Sequence, residues 1–184
     1  HPLERLTAHL GLAFLILGAM LWIAFDLLYP DRAARRTRRL ARFAGAIAGI
    51  VFLQVLAGGL VAGIRAGKAY NTFPLMNGHL VPPEIFLLEP WWRNFFWNMA
   101  TVQFDHRVIA WVLALLVPLL WWKLRTTDGL PSRARAGGHL LVALVAATLT
   151  AQWLRVDATA LGAGLYGFNG YLVGLAFPTF LATS

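Results

Sequence analysis

The sequence predicts an all-α integral membrane protein, and three observations support this fold class. Hydrophobic residues make up 59% of the 184 residues and charged residues only 13%, well below the roughly 25% of an average soluble domain. The apolar residues fall in runs close to the ~20 residues that a spanning helix needs. Basic residues concentrate in two short segments between those runs, so the formal charge of +8 indicates membrane orientation rather than nucleic-acid binding.

Five apolar segments predict about five transmembrane helices. The first three segments, about 7–29, 44–64 and 106–122, are long and apolar enough to span a bilayer. The fourth, about 140–154, is short for a span and carries polar side chains. The fifth, about 158–181, is rich in glycine and of sufficient length.

The two basic segments predict which side of the membrane each loop faces. Residues 30–42 (PDRAARRTRRLAR) and residues 123–138 (KLRTTDGLPSRARAGG) carry most of the positive charge, and basic loops face the cytoplasm. The two loops are separated by two spans, so these two assignments agree. The segment 65–105 then faces the opposite side, which places His9 and His106 at similar depth near that same membrane face.

The segment 65–105 is long for a connection, and loops of this length are usually functional. Its YNTFPLMNGHLVPP stretch has the composition of consecutive turns, and EPWWRNFFWNMA predicts a short helix. Two interpretations of the aromatic cluster remain open: a belt at the level of the lipid headgroups or a lid over a cofactor pocket. The cluster consists of Trp91, Trp92, Phe95, Phe96 and Trp97.

His9 and His106 are the candidate binding residues. Ionisable side chains inside spans are costly and are therefore functional candidates, and two imidazoles from facing helices can hold a haem iron. The alternative is an interfacial histidine that bonds a backbone carbonyl. Asp105 and Arg107 flank His106, where they can form a local ion pair, or Arg107 can bind a propionate.

Small residues and cysteine usage complete the sequence pattern. The GAIAG and GLVAG patterns at 45–49 and 59–63 predict close helix packing rather than chemistry. The chain has no cysteine, which excludes disulfides and thiolate metal sites. We assign no role to the remaining histidines, which are His1, His79 and His139.

Three stretches resemble the heme A synthase family, in the cysteine-free type found in alphaproteobacteria and mitochondria. They are ERLTAHLGLAFLILG at 4–18, GGLVAGIRAGKAYNTFPLMNGHLVPPEIFLLEPWWRNFF at 58–96 and TVQFDHRVIAWVLAL at 101–115. The resemblance implies a protein of two similar four-helix bundles, each holding a haem through two histidines. It implies oxidation of the C8 methyl of haem O to the formyl of haem A for cytochrome oxidase, with haem b as cofactor and haem O as substrate.

The same resemblance implies roles for both candidate histidines as axial ligands of haem iron. His9 is similar to the second histidine of the first bundle, and His106, in FDHR, is similar to the first histidine of the second. It assigns no catalytic residue. It further implies a multi-pass protein of the bacterial inner membrane whose partners are the lipid bilayer and haem; whether it forms a homo-oligomer is left open.

The C-terminal stretch ATLTAQWLRVDATALGAGLYGFNGYLVGLAF at 147–177 resembles bacterial urea transporters, which are trimeric channels built from two inverted repeats. We therefore expect a fragment or chimera: a partial heme A synthase-like bundle over 1–130 and a urea-transporter-like tail over 131–184, joined between about 125 and 149. Only one histidine of each pair is present, so we expect this polypeptide by itself to be inactive. The rival interpretations are a non-catalytic haem-binding bundle and a urea channel fragment, with close helix packing as the alternative role of the tail glycines.

Overall fold

The computed structural model describes residues 2–28, 38–130 and 132–153. Within these residues the chain is helical and forms no β-strand. Three helices are long and apolar enough to cross a membrane, and the spanning stretches are Thr7–Leu28, Arg38–Gly63 and Met99–Thr126. The predicted all-α membrane fold is confirmed, and these stretches correspond to the first three predicted spans.

The helices follow one another along the chain with one long irregular connection. They are α1 (Pro2–Leu28), α2 (Arg38–Gly63), α3 (Ala66–Ala69), a 3-10 turn (Trp91–Arg93), α4 (Asn94–Trp97), α5 (Met99–Thr126) and α6 (Ser132–Trp153). The fourth predicted span, about 140–154, overlaps α6, which begins earlier, at Ser132, and is described as far as Trp153. The fifth, at 158–181, lies outside the described residues, as does most of the basic segment 30–42.

The helix that carries His106 begins earlier than the sequence predicts. We expected the third span from about residue 106, whereas α5 starts at Met99. Asn98 sets this start, because its side-chain Oδ1 accepts the backbone N–H groups of Ala100 at 2.9 Å and Thr101 at 3.2 Å, as an N-cap does. His106 is therefore the eighth residue of α5, counting Met99 as the first, rather than a residue of its first turn.

The second basic segment is also more helical than a loop. Helix α5 continues to Thr126 and α6 begins at Ser132, so the predicted loop 123–138 shortens to a tight connection in which Gly129 has φ 79°. Long basic side chains extend a helix beyond its apolar part without cost, because their charged ends reach water while their stems stay apolar.

The chain divides into two compact units, and the candidate residues lie in the first. The first unit comprises His1–Ile16 and Phe52–Val112, and the second comprises Leu17–Val51 and Leu113–Ser184. Described residues of the second unit bury an apolar stripe on α5 at helical spacing, formed by Leu113, Val117, Leu120 and Leu124.

His139 has a structural partner in the second unit. The indole Nε1 of Trp121 donates a hydrogen bond to Nδ1 of His139 at 2.9 Å, and the guanidinium of Arg125 lies 4.9 Å from the Trp121 ring centroid. These contacts join α5 to α6 near the helix ends. His139 therefore contributes to the packing of α5 on α6.

Glycine lets α1 approach α2 closely in the first unit. A Cβ added at Gly59 would lie 3.2 Å from Oγ1 and 3.4 Å from Cα of Thr7. Around Gly45 and Gly49, by contrast, no described atom outside the helix's own nearby backbone lies within 4 Å of such a Cβ. In the described part of the chain, the close packing predicted from the glycine patterns occurs at Gly59 and is absent at Gly45 and Gly49.

Replacing Gly59 with valine should destabilise the protein. The new side chain would meet backbone and side-chain atoms of Thr7, and overpacking of this kind costs about 1–3 kcal/mol. Thermal unfolding in detergent, followed by circular dichroism at a helix wavelength, should show a lower midpoint for Gly59→Val. Gly49→Val makes the same change in open space and should unfold like the parent; equal midpoints for the two variants would contradict the packing assignment.

Candidate functional site

The imidazole of His106 lies against bare backbone of α2. A Cβ added at Gly58 would be 3.4 Å from Cε1 and 3.8 Å from Nδ1 of the His106 ring. A contact of 3.4 Å is at the tight end of van der Waals packing, so a larger residue at this position would press on the ring. Gly58 therefore provides the room that the imidazole occupies between α5 and α2.

A buried glutamine of α2 holds the same ring. The side-chain Nε2 of Gln54 lies 3.2 Å from Nε2 of His106, within hydrogen-bond distance. Gln54 is 4% exposed. Its Oε1 and the ring's Nδ1 are both buried without a hydrogen-bond partner among the described residues. Because an amide nitrogen can only donate, Nε2 of His106 is the acceptor in this contact, and the buried Nδ1 carries the ring proton without a partner among the described residues.

Unpaired buried polar atoms concentrate in the first unit. Besides Gln54 Oε1 and His106 Nδ1, the described residues of this unit include the buried and unpaired Oγ1 of Thr7 and Oε1 of Gln103. Each such atom costs about 1–3 kcal/mol, and native proteins keep few of them. Their concentration favours a site for a polar or metal-containing group over an inert apolar core.

Arg107 anchors the long connection between α2 and α5. Its Nη2 donates to the backbone oxygens of Tyr70 at 2.8 Å and Thr72 at 2.7 Å. Its Nη1 donates to those of Pro74 and Leu75, both at 3.3 Å. Four carbonyls thus share one guanidinium. The sequence did not indicate this role.

The sequence suggested two roles for Arg107, an ion pair with Asp105 and the binding of a propionate. Within the described residues Arg107 makes no ion pair with Asp105, and its Nη1 and Nη2 donate to the loop carbonyls instead. Binding of a propionate by Arg107 stays a prediction. Its guanidinium also lies 5.9 Å from the centroid of Phe73, and Phe73 stacks on Trp111 at 5.8 Å between centroids.

The segment that Arg107 holds is a tight turn, as its composition predicted. Asn77 and Gly78 have φ of 51° and 90°, and the Met76 and His79 backbones exchange hydrogen bonds of 2.8 and 3.0 Å across them. This is the favoured geometry of an Asn-Gly hairpin turn. Oγ1 of Thr72 also accepts the N–H of Asn77 at 2.7 Å. His79 therefore belongs to a turn.

Asparagine side chains order the second half of the connection. The fully buried Asn94 donates to the carbonyls of Leu88 at 2.9 Å and Trp91 at 2.7 Å, and its Oδ1 accepts the N–H of Leu88 at 2.9 Å. Asn98 donates to the Glu84 carbonyl at 2.8 Å. The short helix predicted for this region is confirmed, as a 3-10 turn followed by α4.

Tyr70 ties the two halves of the connection together. Its hydroxyl donates to Oε2 of Glu84 at 3.5 Å. Burial raises the pKa of Tyr70 above its usual value, and the negative charge of Glu84 raises it further. Both effects favour the neutral phenol, so Tyr70 remains a hydrogen-bond donor throughout the physiological pH range.

Three of the five aromatic side chains of this cluster are exposed in the described structure, and Phe95 and Trp97 are partly buried. Trp91 is 65% exposed, Trp92 47% and Phe96 44%. Such exposure is typical of an aromatic belt, in which the rings contact lipid headgroups. The alternative of a lid over a cofactor pocket stays a hypothesis.

His9 lies on α1 in the same unit as His106, and its side chain is exposed. Among the described residues no group of three or more His, Cys, Asp or Glu side chains is close enough to hold a metal ion. A haem iron takes only its axial ligands from the protein, so single histidines on different helices remain the relevant donors. Gln54 and Gln103, which the sequence analysis did not single out, are further polar groups of this unit.

Together, these features define a polytopic membrane protein with an imidazole held among polar side chains inside its apolar helices. The family model of cytochrome oxidase assembly proteins matches residues 3–154, and the chain belongs to that family. A model of urea transporters matches residues 131–184, in agreement with the resemblance of the tail. The two matches overlap at 131–154, and the domain boundary at 130 stays a prediction.

Heme A synthases are among the similar proteins. That of Nitrosospira multiformis is 58% identical over 149 residues, which is 79% of this chain and 42% of the relative. Those of Nitrosomonas eutropha and Parvibaculum lavamentivorans are 51% and 47% identical, over 77% and 81% of this chain and 40% and 42% of theirs. The chain thus spans about two fifths of the length of these relatives. No solved structure matches it.

Replacing Arg107 with lysine should loosen the connection that it anchors. Lysine keeps the charge but cannot direct a planar fork of N–H groups at four carbonyls. Hydrogen exchange measured by mass spectrometry should be at least about tenfold faster in peptides covering Tyr70–Leu75, which corresponds to the loss of about one charged hydrogen bond.

Arg93→Lys is the matched control for this exchange experiment. Arg93 makes one long hydrogen bond, of 3.5 Å, to the Glu89 carbonyl, so this variant should leave exchange at 70–75 unchanged. The anchoring role is wrong if Arg107→Lys exchanges like the parent protein, or if both variants accelerate exchange equally.

Proposed function

We propose that this chain is the haem-binding part of a heme A synthase, an oxidoreductase that converts haem O to haem A for cytochrome oxidase. The names of the similar proteins and the 47–58% identity of the three relatives support this activity. The observation that carries the proposal is the environment of His106. Its imidazole is fixed inside a spanning helix, with one nitrogen engaged by Gln54 and the other buried and unpaired.

The residues present fit a haem. An axial ligand must be a neutral imidazole with an available lone pair; in His106 that lone pair is on Nε2, where a haem iron would replace the weak contact of 3.2 Å with the Gln54 amide. We propose His106 and the exposed His9 as axial ligands of two haem irons, with haem b as cofactor and haem O as substrate. When bound, the haem iron supplies the redox chemistry, while the residues of this chain hold and orient the imidazoles.

The connection between α2 and α5 is the part of the chain best placed to shield such a site. Arg107, which anchors residues 70–75, directly follows His106 in α5, so the ligand and the anchor share one helical turn. We propose that the connection is periplasmic, that the segments 30–42 and 123–138 are cytoplasmic, and that the protein lies in the bacterial inner membrane. The distribution of basic residues supports this orientation.

Two further interpretations lead to different measurements. A non-catalytic haem-binding bundle would use the same histidines and would differ in producing no haem A. The urea-transporter match covers residues 131–184, most of which lie outside the described residues, and a channel would show urea flux in liposomes. The expectation that this polypeptide is inactive by itself stays a prediction.

Replacing both histidines with alanine should abolish haem binding. The chain, purified in detergent with added haem, should show a Soret band that decreases in His9→Ala and in His106→Ala and disappears in the double variant, because no axial imidazole remains. His79→Ala removes a histidine from the loop turn and should keep the band. A full Soret band in the double variant would refute the ligand assignment.

Gly58→Val should displace the ring without removing it. The added side chain would begin 3.4 Å from Cε1 of His106, so the ring must move to accommodate its methyl groups. Haem content should fall to that of His106→Ala, while Gly45→Val, made in open space on the same helix, should retain the parent content. If Gly58→Val binds haem as the parent does, the ring does not occupy this position in the haem-bound protein.

A further inference from the structure

We propose that a patch formed by Phe73, Leu75 and Trp111 contacts membrane lipid below the headgroup layer. Phe73 and Leu75 belong to the segment 70–75 of the connection between α2 and α5, and Trp111 belongs to α5. The connection therefore lies partly within the membrane, although its length and its turns predict a loop in water. The partner is lipid, and the proposal does not depend on a bound haem.

One stripe of α5 holds this segment against the helix. Gln103, Arg107 and Trp111 are four positions apart and share one helix face. The amide of Gln103 donates to the Tyr70 carbonyl at 3.4 Å, and Arg107 donates to four carbonyls of the same segment. The ring of Trp111 stacks on that of Phe73, with 5.8 Å between centroids and 15° between planes. The segment thus runs beside α5 rather than above its end.

The position of Trp111 along α5 gives the depth of this contact. Helix α5 (Met99–Thr126) has 28 residues and is about 42 Å long, which matches the ~40–45 Å of a bilayer with its headgroups. Trp111 lies about 18 Å along the axis from Met99, at 1.5 Å per residue. One headgroup layer is only about 5–7 Å thick, so the Phe73–Trp111 pair lies at the level of the hydrocarbon.

The segment directs polar backbone atoms toward α5 and apolar side chains outward. The carbonyls of Thr72, Pro74 and Leu75 accept hydrogen bonds from Arg107, and the Thr72 hydroxyl donates to the Leu75 carbonyl at 2.8 Å. Phe73 and Leu75 are 55% and 41% exposed. A loop in water favours the reverse arrangement, with apolar side chains buried. Non-helical backbone at membrane depth needs partners within the protein, and Arg107 provides them.

The side chains around the segment also favour lipid as the partner. The ring of Phe73 lies 5.9 Å from the Arg107 guanidinium and contributes an apolar face beside the cation. Trp111 is 50% exposed, and its neighbours Val108 and Val112 are 42% and 39% exposed. The patch is therefore continuous with exposed apolar surface of a spanning helix. Indole rings are enriched where membrane proteins meet the lipid boundary.

The absence of cysteine from the chain allows a spin label to be placed at a single position. The test labels Phe73→Cys in the haem-free chain, reconstituted in phosphatidylcholine liposomes. Electron paramagnetic resonance measures collisions with oxygen, which concentrates in hydrocarbon, and with a water-soluble nickel chelate. Leu15→Cys is the lipid reference, because Leu15 is also 55% exposed and lies in the spanning stretch Thr7–Leu28. Lys68→Cys, at an exposed cation of α3, is the water reference.

We expect oxygen collisions to exceed nickel collisions at residue 73, as at residue 15, and the reverse at residue 68. An excess of nickel collisions at residue 73 would place the segment in water and overturn the proposal. Low rates with both reagents would show that a second copy or another part of the protein covers the patch, which would also overturn it. A label at Leu75→Cys should behave like that at residue 73 and decides the test if loss of the Phe73 ring disturbs the fold.

A second experiment tests why the segment lies at this depth. Lysine cannot bond four carbonyls at once, and freed carbonyls must find water. Arg107→Lys should therefore shift the oxygen-to-nickel ratio at residue 73 toward that of residue 68. Arg93→Lys, which changes one hydrogen bond of 3.5 Å to the Glu89 carbonyl, should leave the ratio unchanged. An unchanged ratio in a folded Arg107→Lys would refute the role of the guanidinium. Neither experiment uses haem, so both stay decisive if the proposed function fails.

Discussion

A buried polar side chain in an apolar helix must find its partner within the protein, and the arrangement of the first unit follows from that requirement. Water is absent from the hydrocarbon region, so unpaired groups there are costly. His106 and Gln54 meet this requirement by bonding each other across two helices. Arg107 meets it by bonding carbonyls of the connecting segment. These contacts fix the helix pair and the connection at the same turn of α5.

Helix α2 can serve two neighbours because consecutive glycines face in different directions. Successive residues of a helix are about 100° apart around its axis. Gly58 accordingly meets His106 of α5, while Gly59 meets Thr7 of α1. Without Cβ atoms, both partners can approach the backbone of α2. Packing and site geometry are therefore not separable here, because the same pair of glycines brings α1 close to α2 and makes room for the imidazole.

Hydropathy was sufficient to locate the three spans and not sufficient to locate the start of α5. The polar residues that precede His106 lower the local hydropathy, although Asn98 caps a helix that runs through that region. The partners of Arg107 were not predictable, because backbone carbonyls leave no trace in the sequence. Gln54 was predictable in principle, because it is the single hydrogen-bonding side chain in its apolar run, although its partner in α5 was not.

The order of residues 106 and 107 has a mechanical consequence. The ring of His106 contacts Gln54 of α2, and the guanidinium of Arg107 donates hydrogen bonds to backbone carbonyls of residues 70–75. Because the two residues are adjacent in a regular helix, any shift or rotation of that turn changes both contacts. The position of the connection and the orientation of the imidazole are therefore coupled through rigid backbone. A ligand that reoriented the ring would also act on the connection, and no charged pair between Asp105 and Arg107 is needed for that coupling.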